Sequence, residues 1–331
     1  MGLKRAKISS TGRFVPDHVL TNKDLEKMVE TNDEWIRTRT GIRERHILKD
    51  PAKATAYMAS KAGQEALDRA GVSADEVDVI VVATITPDYL FPATACLVQG
   101  ELGASNAYAF DLSAACSGFI YALSTGSMMI ESGRARRVLV IGADKMSSII
   151  DYTDRTTCIL FGDAAGAVLL EPSEDEDGIV DFVHHSEADN NCQLYQMAGG
   201  SRHPASQETV EKGQHYIKQD GRAVFKRATE GMADVSIEIM EKNGLSGSDV
   251  SWLVPHQANQ RIISATARRM GLSEEKVMIN IDKYGNTTAA TIPLCLYDWN
   301  DQLKKGDKLI LSAFGGGFTW GAVYLTWSIE S

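Results

Sequence analysis

The sequence has 331 residues, of which 44% are hydrophobic and 24% are charged, and its formal net charge is -10. This composition is that of an ordinary globular protein, long enough for one large domain or two ordinary ones. The negative charge argues against general nucleic-acid binding but leaves room for a local basic patch.

The cysteines and the N-terminus indicate a reducing setting. The five cysteines are odd in number and include no Cys-x-x-Cys pair, so neither a zinc site nor a disulfide framework is indicated. The N-terminal segment MGLKRAKISSTGRFVP lacks the apolar run of a signal peptide. We therefore predict a cytoplasmic protein without a metal site.

Helix-like and strand-like segments alternate along the chain. The segment YMASKAGQEALDRAG ends at Gly71, a typical C-terminal cap, and the strand-like stretch 77–84 follows it. The segment MADVSIEIMEKNG ends in the same way at Gly244. This alternation predicts an α/β fold with a mainly parallel sheet whose crossovers cover its faces.

Residues 112–130 carry no charged side chain. The stretch is about as long as a membrane span, but its serines, threonine and glycines make it too polar for that interpretation. We predict instead a helix buried inside a large core, with no membrane contact.

Weak similarity between the two halves of the chain indicates a duplication. Four segments of the first half each resemble one in the second, in the same order: VSADEVDVIVVATIT and LSGSDVSWLVPHQAN, LGASNAYAFDLSAACSG and LSEEKVMINIDKYGNTTAA, ESGRARRVLVIGAD and LKKGDKLILSAFG, FGDAAGAVLLEP and FTWGAVYLTWS. We predict two α/β halves, 1–174 and 175–331, joined at the acidic turn EPSEDEDG. The alternative is that any two α/β segments look alike.

Cys116 is the first candidate for chemistry. It follows a strand and the residues LSAA, and it precedes a helix, so its sulfur is predicted to lie near a helix N-terminus. Unpaired N–H groups and the helix dipole favour a thiolate there. The alternative is a buried, inert cysteine that packs as a small apolar residue.

His256 and Asn286 are predicted to lie near Cys116. His256 follows a strand in WLVPHQAN, and Asn286, in YGNTTAAT, holds the place in the second half that Cys116 holds in the first. In open α/β sheets, ligands bind at the ends of strands. A hydrogen-bonded loop histidine and a turn asparagine are the alternative readings.

The glycine-rich segment SAFGGGFTWG completes the candidate set. Successive glycines permit close backbone approach, and their N–H groups could bind an oxyanion. The alternative is a glycine-rich turn before the last strand.

Taken together, AACSGF, PHQAN, YGNTTAAT and AFGGGFTWG resemble the signature segments of β-ketoacyl-acyl-carrier-protein synthase III, a family of the thiolase superfamily. The N-terminal stretch NDEWIRTRTGIRERH resembles that family as well. The resemblance covers nearly the whole chain. It implies the thiolase-like, duplicated five-layered αβαβα fold, a homodimer, no cofactor, and a triad formed by Cys116, His256 and Asn286.

The implied reaction initiates type II fatty-acid synthesis. An acyl-CoA, acetyl-CoA being the expected primer, would acylate Cys116 and release CoA. Malonyl-acyl carrier protein would then decarboxylate and attack the thioester, giving 3-oxoacyl-carrier protein and CO2. His256 Nε2 and Asn286 would stabilise the enolate, and the N–H groups of Cys116 and Gly316 would bind the acyl oxygen.

The resemblance also implies roles for further residues, according to their positions in the sequence. The expected CoA-binding residues are Thr31, Trp35, Arg39 and Arg155. The expected acyl-pocket residues are Phe91, Leu160 and Phe314, with Phe91 reaching across the dimer. The expected docking surface for the carrier protein is Arg261, Arg268, Arg269 and Lys226. The alternatives are that Trp35 only anchors a surface helix and that the arginines only form a solvated helix face.

Three other functions remain possible from the sequence. A same-fold synthase, such as a polyketide-priming enzyme, would use another acyl donor or acceptor. A cysteine hydrolase would use the same Cys–His–Asn set for bond cleavage. A non-catalytic acyl-carrier binder would form no acyl adduct on Cys116. The length of the primer acyl chain is left open.

Overall fold

Strands and helices alternate through residues 4–330, the part of the chain that the computed structural model describes. The strands are β1 (Ala6–Phe14), β2 (Val19–Thr21), β3 (Glu44–His46), β4 (Val79–Ala83), β5 (Tyr108–Leu112), β6 (Val138–Asp144), β7 (Ala164–Pro172), β8 (Gly178–Ser186), β9 (Leu194–Gln196), β10 (Ile217–Gln219), β11 (Trp252–Pro255), β12 (Lys308–Gly315) and β13 (Thr319–Thr326). The helices are α1 (Asn22–Leu25), α2 (Asp33–Thr40), α3 (Thr55–Ala70), α4 (Thr94–Leu102), α5 (Gly118–Glu131), α6 (Gln207–Glu211), α7 (Gly221–Lys242), α8 (Gln260–Arg269), α9 (Ile281–Tyr284) and α10 (Thr291–Asp298).

Two larger sheets repeat one topology. The first has the order β1-β7-β6-β4-β5, in which β4, β5 and β6 are parallel and β7 is antiparallel to both of its neighbours. The second has the order β8-β13-β12-β11 with the same directions, and a parallel bridge from Leu253 to Val277 stands where β5 stands in the first sheet. The four similar segment pairs therefore occupy matching places.

Helices cover both faces of each sheet and give five layers. On one outer side, α3 and α4 pack on the first sheet. Between the sheets, α5 and α10 share one large apolar core with strands of both. On the other outer side, α7 and α8 pack on the second sheet. This is the predicted αβαβα arrangement, and it explains why every residue of β4 is buried.

The uncharged stretch forms the buried central helix that its composition predicts. It begins with a 3₁₀ turn, Ala115–Ser117, and continues as α5. Phe119, Ile120 and Leu123 are fully buried in the core between the sheets. Because α5 packs between the two sheets, apolar surfaces cover it on both sides and it needs no polar face.

Element ends follow local signals in most places. Gly71 caps α3 with a φ of 64°. The helix before Gly244 is longer than the sequence suggested, because α7 starts at Gly221 with the Asp220 side chain as its N-cap. The proposed boundary at 174/175 falls in the turn between β7 and β8 and stays a prediction.

Candidate functional site

Cys116 lies on a tight turn between β5 and α5. Ala115, just before it, has a φ of 46°, which is unusual for a residue with a Cβ. Gly315 at the end of β12 packs directly against this turn: a Cβ on Gly315 would lie 2.7 Å from the backbone nitrogen of Cys116. The close approach of two backbones thus requires glycine at 315.

Cys116, His256 and Asn286 meet at one cavity of about 410 Å³. Three further predicted residues, Leu160, Phe314 and Gly316, line the same cavity. The rest of its wall is mostly apolar. The structure therefore brings the three triad candidates together from both halves of the chain, as the strand-end argument predicted.

Local hydrogen bonds fix the orientation of the Asn286 side chain. Its Oδ1 accepts a hydrogen bond of 2.8 Å from the backbone N–H of Thr288. Because an N–H can only donate, the oxygen is held there and the amide NH2 is left to face the cavity. That NH2 lies close enough to Cys116 to lower the pKa of its thiol. Asn286 is thus ready to act as a neutral donor.

His256 is buried at the end of β11, with 1% of its surface exposed. Its backbone N–H donates to the carbonyl of Ser312 in β12, and its Nδ1 lies 2.8 Å from Thr291 Oγ1. Burial lowers the pKa of His256 to about 3, so the ring is neutral near neutral pH. Within the described residues its Nε2 is buried without a hydrogen-bond partner.

The surroundings of Cys116 do not favour the thiolate that the sequence suggested. Burial, with a contribution from the Asp144 carboxylate, raises the pKa of Cys116 to about 12. The backbone N–H of Cys116 and the Asn286 amide lower the pKa but do not outweigh desolvation. The raised pKa favours a neutral thiol at rest.

Asp144, which sequence reasoning missed, holds the turn that carries Asn286. This fully buried carboxylate accepts hydrogen bonds from the Thr84 and Thr86 hydroxyls at the end of β4. It also accepts one from the Thr288 hydroxyl. Burial raises the pKa of Asp144. The threonine-rich run after Asn286 was the available signal, because threonine hydroxyls can pair a buried carboxylate.

The expected CoA-binding residues gather beside the cavity. Arg155 and Arg39 lie over the Trp35 ring, at 5.4 and 6.0 Å from its centroid. The carbonyl of Arg39 accepts a hydrogen bond from Asn259, which lines the cavity, so this cluster adjoins the cavity wall. Thr31 Oγ1 is buried without a partner among the described residues.

Phe91 does not reach the cavity of its own chain. It is 86% exposed, beside Leu90, which is 83% exposed, and it is not part of the cavity lining. Phe314, by contrast, lines the cavity and stacks near Phe318 and Trp320 at centroid distances of 5.1 and 6.0 Å. The role of Phe91 across a dimer stays a prediction.

The predicted basic surface is only partly continuous. Arg261 and Arg268 line a groove between α7 and α8, where the Arg261 guanidinium lies 4.9 Å from the Phe225 ring centroid. Arg269 turns away to pair with Asp234 at 3.0 Å. Lys226 is exposed but lies outside the groove lining. The groove itself adjoins the cavity, because Phe225 lines both.

Residues 4–330 contain neither a metal-binding cluster nor a membrane-spanning helix. No group of three or more His, Cys, Asp or Glu side chains is arranged to hold a metal ion. No helix combines the length and apolarity needed to cross a bilayer.

Comparisons with known proteins agree with this geometry. The family profile for 3-oxoacyl-[acyl-carrier-protein (ACP)] synthase III matches residues 110–188, and the profile for the C-terminal part of the same family matches residues 240–327. The chain is 57% identical to "Beta-ketoacyl-[acyl-carrier-protein] synthase III" of Chlorobaculum tepidum, covering 98% of this chain and 99% of that protein.

Solved structures show the same similarity. The 3-oxoacyl-[acyl-carrier-protein] synthase III of Aquifex aeolicus superposes with a TM-score of 0.89 at 48% identity, covering 97% of this chain and 100% of that one. The priming β-ketosynthase of the R1128 polyketide pathway superposes with a TM-score of 0.91 at 32% identity, covering 100% and 99%. With near-complete coverage and the highest of these identities to a β-ketoacyl synthase III, the chain belongs to the β-ketoacyl-[acyl-carrier-protein] synthase III family of condensing acyltransferases.

Proposed function

We propose that this protein joins a primer acyl-CoA to malonyl-acyl carrier protein through an acyl-Cys116 intermediate, starting type II fatty-acid synthesis. The observation that carries the proposal is the single cavity at which Cys116, His256 and Asn286 meet, beside a glycine backbone that could bind an oxyanion. A covalent intermediate divides one difficult bond exchange into two easier steps.

The first step is acyl transfer. The neutral thiol of Cys116 gives up its proton as the sulfur attacks the thioester carbonyl carbon. The bond from that carbon to the CoA sulfur breaks, and that sulfur takes up the proton, so CoA leaves as a thiol. The backbone N–H groups of Cys116 and Gly316 are the proposed donors to the carbonyl oxygen as it gains charge. Phe314, packed at the cavity wall, would limit water access to the thioester.

The second step is decarboxylative condensation. Loss of CO2 from the malonyl thioester places negative charge on its carbonyl oxygen, and the resulting carbanion attacks the carbonyl carbon of acyl-Cys116. The bond from that carbon to Cys116 Sγ then breaks, and Sγ takes up a proton to restore the thiol. The amide NH2 of Asn286 is suited to donate to that oxygen because its own Oδ1 is held by Thr288. The imidazole of His256 would be the second neutral group facing it.

The two substrates and a second subunit extend this proposal. We assign Trp35, Arg39, Arg155 and Thr31 to the CoA nucleotide, since arginine suits phosphate and the indole offers a stacking surface. We assign the groove at Arg261 and Arg268 to the acidic carrier protein. We further propose a homodimer, a cytoplasmic location and a reaction without a cofactor.

Mass spectrometry tests the function directly. Incubation with acetyl-CoA should add one acetyl group to the protein and none to a Cys116→Ala variant. Malonyl-carrier protein should then release CO2 and give 3-oxoacyl-carrier protein. Hydrolysis without CO2 would indicate a cysteine hydrolase instead, and no adduct at all would indicate a non-catalytic binder. A panel of acyl-CoA primers, read as mass on Cys116, would define the primer.

A further inference from the structure

The unpartnered nitrogen of His256 raises the question of which ring nitrogen carries the proton. A neutral imidazole has one N–H donor and one acceptor, and its partners decide the tautomer. Here Nδ1 has a single close partner, Thr291 Oγ1 at 2.8 Å. Nε2 faces the cavity that Cys116 lines, and it is buried without a partner in residues 4–330.

The hydroxyl of Thr291 has one proton to give and a second acceptor within reach besides His256. Thr291 Oγ1 lies 3.0 Å from the carbonyl of Thr288, which can only accept and which also accepts from the Thr291 backbone N–H. When the hydroxyl donates to this carbonyl, it accepts from the Nδ1–H of His256, and Nε2 carries a lone pair. Thr291 is 2% exposed, so water does not readily replace it as the partner.

We propose that Thr291 is a positioning residue that sets the tautomer of His256, leaving Nε2 free to take the Cys116 proton during acyl transfer. This inference rests on the function proposed above. The proton moves from Sγ to Nε2, Sγ bonds to the acyl carbon, and the bond from that carbon to the CoA sulfur breaks. The departing CoA thiolate takes the proton from Nε2, so CoA leaves as a thiol and His256 regains its starting form.

The same turn serves the other catalytic side chain. The backbone N–H of Thr288 holds Oδ1 of Asn286, while the carbonyl of Thr288 receives the Thr291 hydroxyl. One residue thereby determines which way the amide faces and, through Thr291, which imidazole nitrogen is protonated. The two side chains begin with different roles: Asn286 presents N–H groups to the cavity, and His256 presents a lone pair.

The test is the pair Thr291→Val and Thr291→Ser, compared by half-reaction. Valine removes the acceptor for Nδ1–H and so favours the Nε2–H tautomer, which cannot accept the thiol proton. We expect acyl transfer from acetyl-CoA to fall about ten- to a hundredfold. Decarboxylation of malonyl-carrier protein by enzyme already acylated on Cys116 should not fall. Donation to the enolate oxygen needs an Nε2–H, which wild type reaches only by exchanging tautomers after acyl transfer and which the valine variant already favours. Serine keeps the hydroxyl and should restore acyl transfer.

Nitrogen NMR of the folded protein shows directly which ring nitrogen of His256 carries the proton. If Thr291 had only a structural role, its replacement would not change this tautomer. In protein with ¹⁵N-labelled histidine, the His256 signals, assigned by their loss in His256→Ala, should show a protonated Nδ1 in wild type and a protonated Nε2 in Thr291→Val. A wild-type spectrum with the proton on Nε2 would overturn the inference even if the valine variant failed to fold. Equal loss of both half-reactions, no loss in acyl transfer, or failure of serine to rescue would also overturn it. Absence of both half-reactions in wild type would instead reject the proposed function.

Discussion

At the scale of single residues, burial determines the resting charge of Cys116 and His256. The same desolvation raises the pKa of Cys116 to about 12 and lowers the pKa of His256 to about 3. Both shifts favour the neutral form, so the site holds a thiol and an imidazole rather than an ion pair. A neutral pair avoids two separated charges in an apolar cavity, and in the proposed mechanism the thiolate forms only while substrate is being attacked.

The first prediction concerns the pH dependence of thiol reactivity. Alkylation of Cys116 by iodoacetamide should rise about tenfold per pH unit from about pH 6 to about pH 9, because only the thiolate reacts and its fraction grows throughout that range. The rate is to be measured by intact mass, with Cys116→Ala correcting for the other four cysteines. A rate that stays flat across this range would mean a thiolate–imidazolium pair and would contradict the assigned burial effect.

Removal of the Asn286 amide should separate the two half-reactions. In Asn286→Ala, decarboxylation of malonyl-carrier protein should fall about a hundred- to a thousandfold, the usual effect of losing one oxyanion donor. Acyl transfer to Cys116 should fall far less, because Asn286 acts on the sulfur only as one of the groups that lower its pKa. CO2 release and intact mass measure the two steps. An equal fall in both would remove Asn286 from the enolate role.

At the scale of elements, the site depends on two turns that approach each other without side chains between them. The turn at Ala115–Ser117 comes from the first half of the chain, and the end of β12 comes from the second. Their contact at Gly315 holds the turn that carries Cys116 against the end of β12. The nearest obstacles to a side chain there are backbone nitrogens, of Cys116 at 2.7 Å and of Ser117 at 3.0 Å. Backbone atoms cannot move aside for an added methyl group as the end of a flexible side chain can.

Gly315→Ala should therefore displace the nucleophile. We expect acyl transfer to fall at least a hundredfold while the protein stays folded, since near-ångström misplacement of a reacting atom has effects of that size. Gly100→Ala is the matched control: it lies in α4, where an added methyl group would meet no neighbouring atom within 4 Å, and alanine there should raise helix stability slightly. Acyl transfer by the two variants, with circular dichroism as a folding check, gives the comparison. Normal activity in Gly315→Ala would show that the turns can separate without harm.

The sequence predicted those parts of the fold and site that depend on short patterns. Strand and helix order, the buried α5 and the meeting of Cys116, His256 and Asn286 all follow from periodicity, local caps and the family motifs. The sequence could not predict what depends on contacts between distant residues. Examples are Asp144 beneath Thr288, the pairing of Arg269 with Asp234, and the neutral thiol, whose pKa reflects how completely both halves exclude water.

At the scale of the whole molecule, the groove at Arg261 and Arg268 is a basic site on a protein whose net charge is -10. This contrast favours the groove as the docking surface for an acidic carrier protein. Arg261→Glu should lower the rate with malonyl-carrier protein about tenfold or more while leaving acylation by acetyl-CoA unchanged. Arg269→Glu is the control on the same helix, because Arg269 is already paired with Asp234 outside the groove. Measurement at two salt concentrations should show the effect weakening as salt screens the charges. Equal loss with both substrates would contradict the docking role.

The last prediction concerns the exposed loop at Leu90 and Phe91, and it depends on the protein forming a dimer. Large aromatic side chains as exposed as Phe91 are unusual unless a partner covers them, and the edge strand β5 offers a surface for a second copy. If Phe91 closes the acyl pocket of the partner, Phe91→Ala should accept longer acyl-CoA primers, whereas Leu90→Ala should not. Light scattering should report a dimer in all three proteins.

A mixed dimer decides whether Phe91 acts within its own chain or across the interface. One subunit carries Phe91→Ala with an intact Cys116, and the other carries Cys116→Ala with an intact Phe91. The one Cys116 thiol of the mixed dimer then lies in the chain that lacks Phe91. Action across the interface predicts that this thiol takes only the primers that wild type takes, because the inactive partner still supplies the ring. Longer acyl adducts on the mixed dimer, read by intact mass, would mean that Phe91 acts on the pocket of its own chain. That result would contradict its proposed role across the interface.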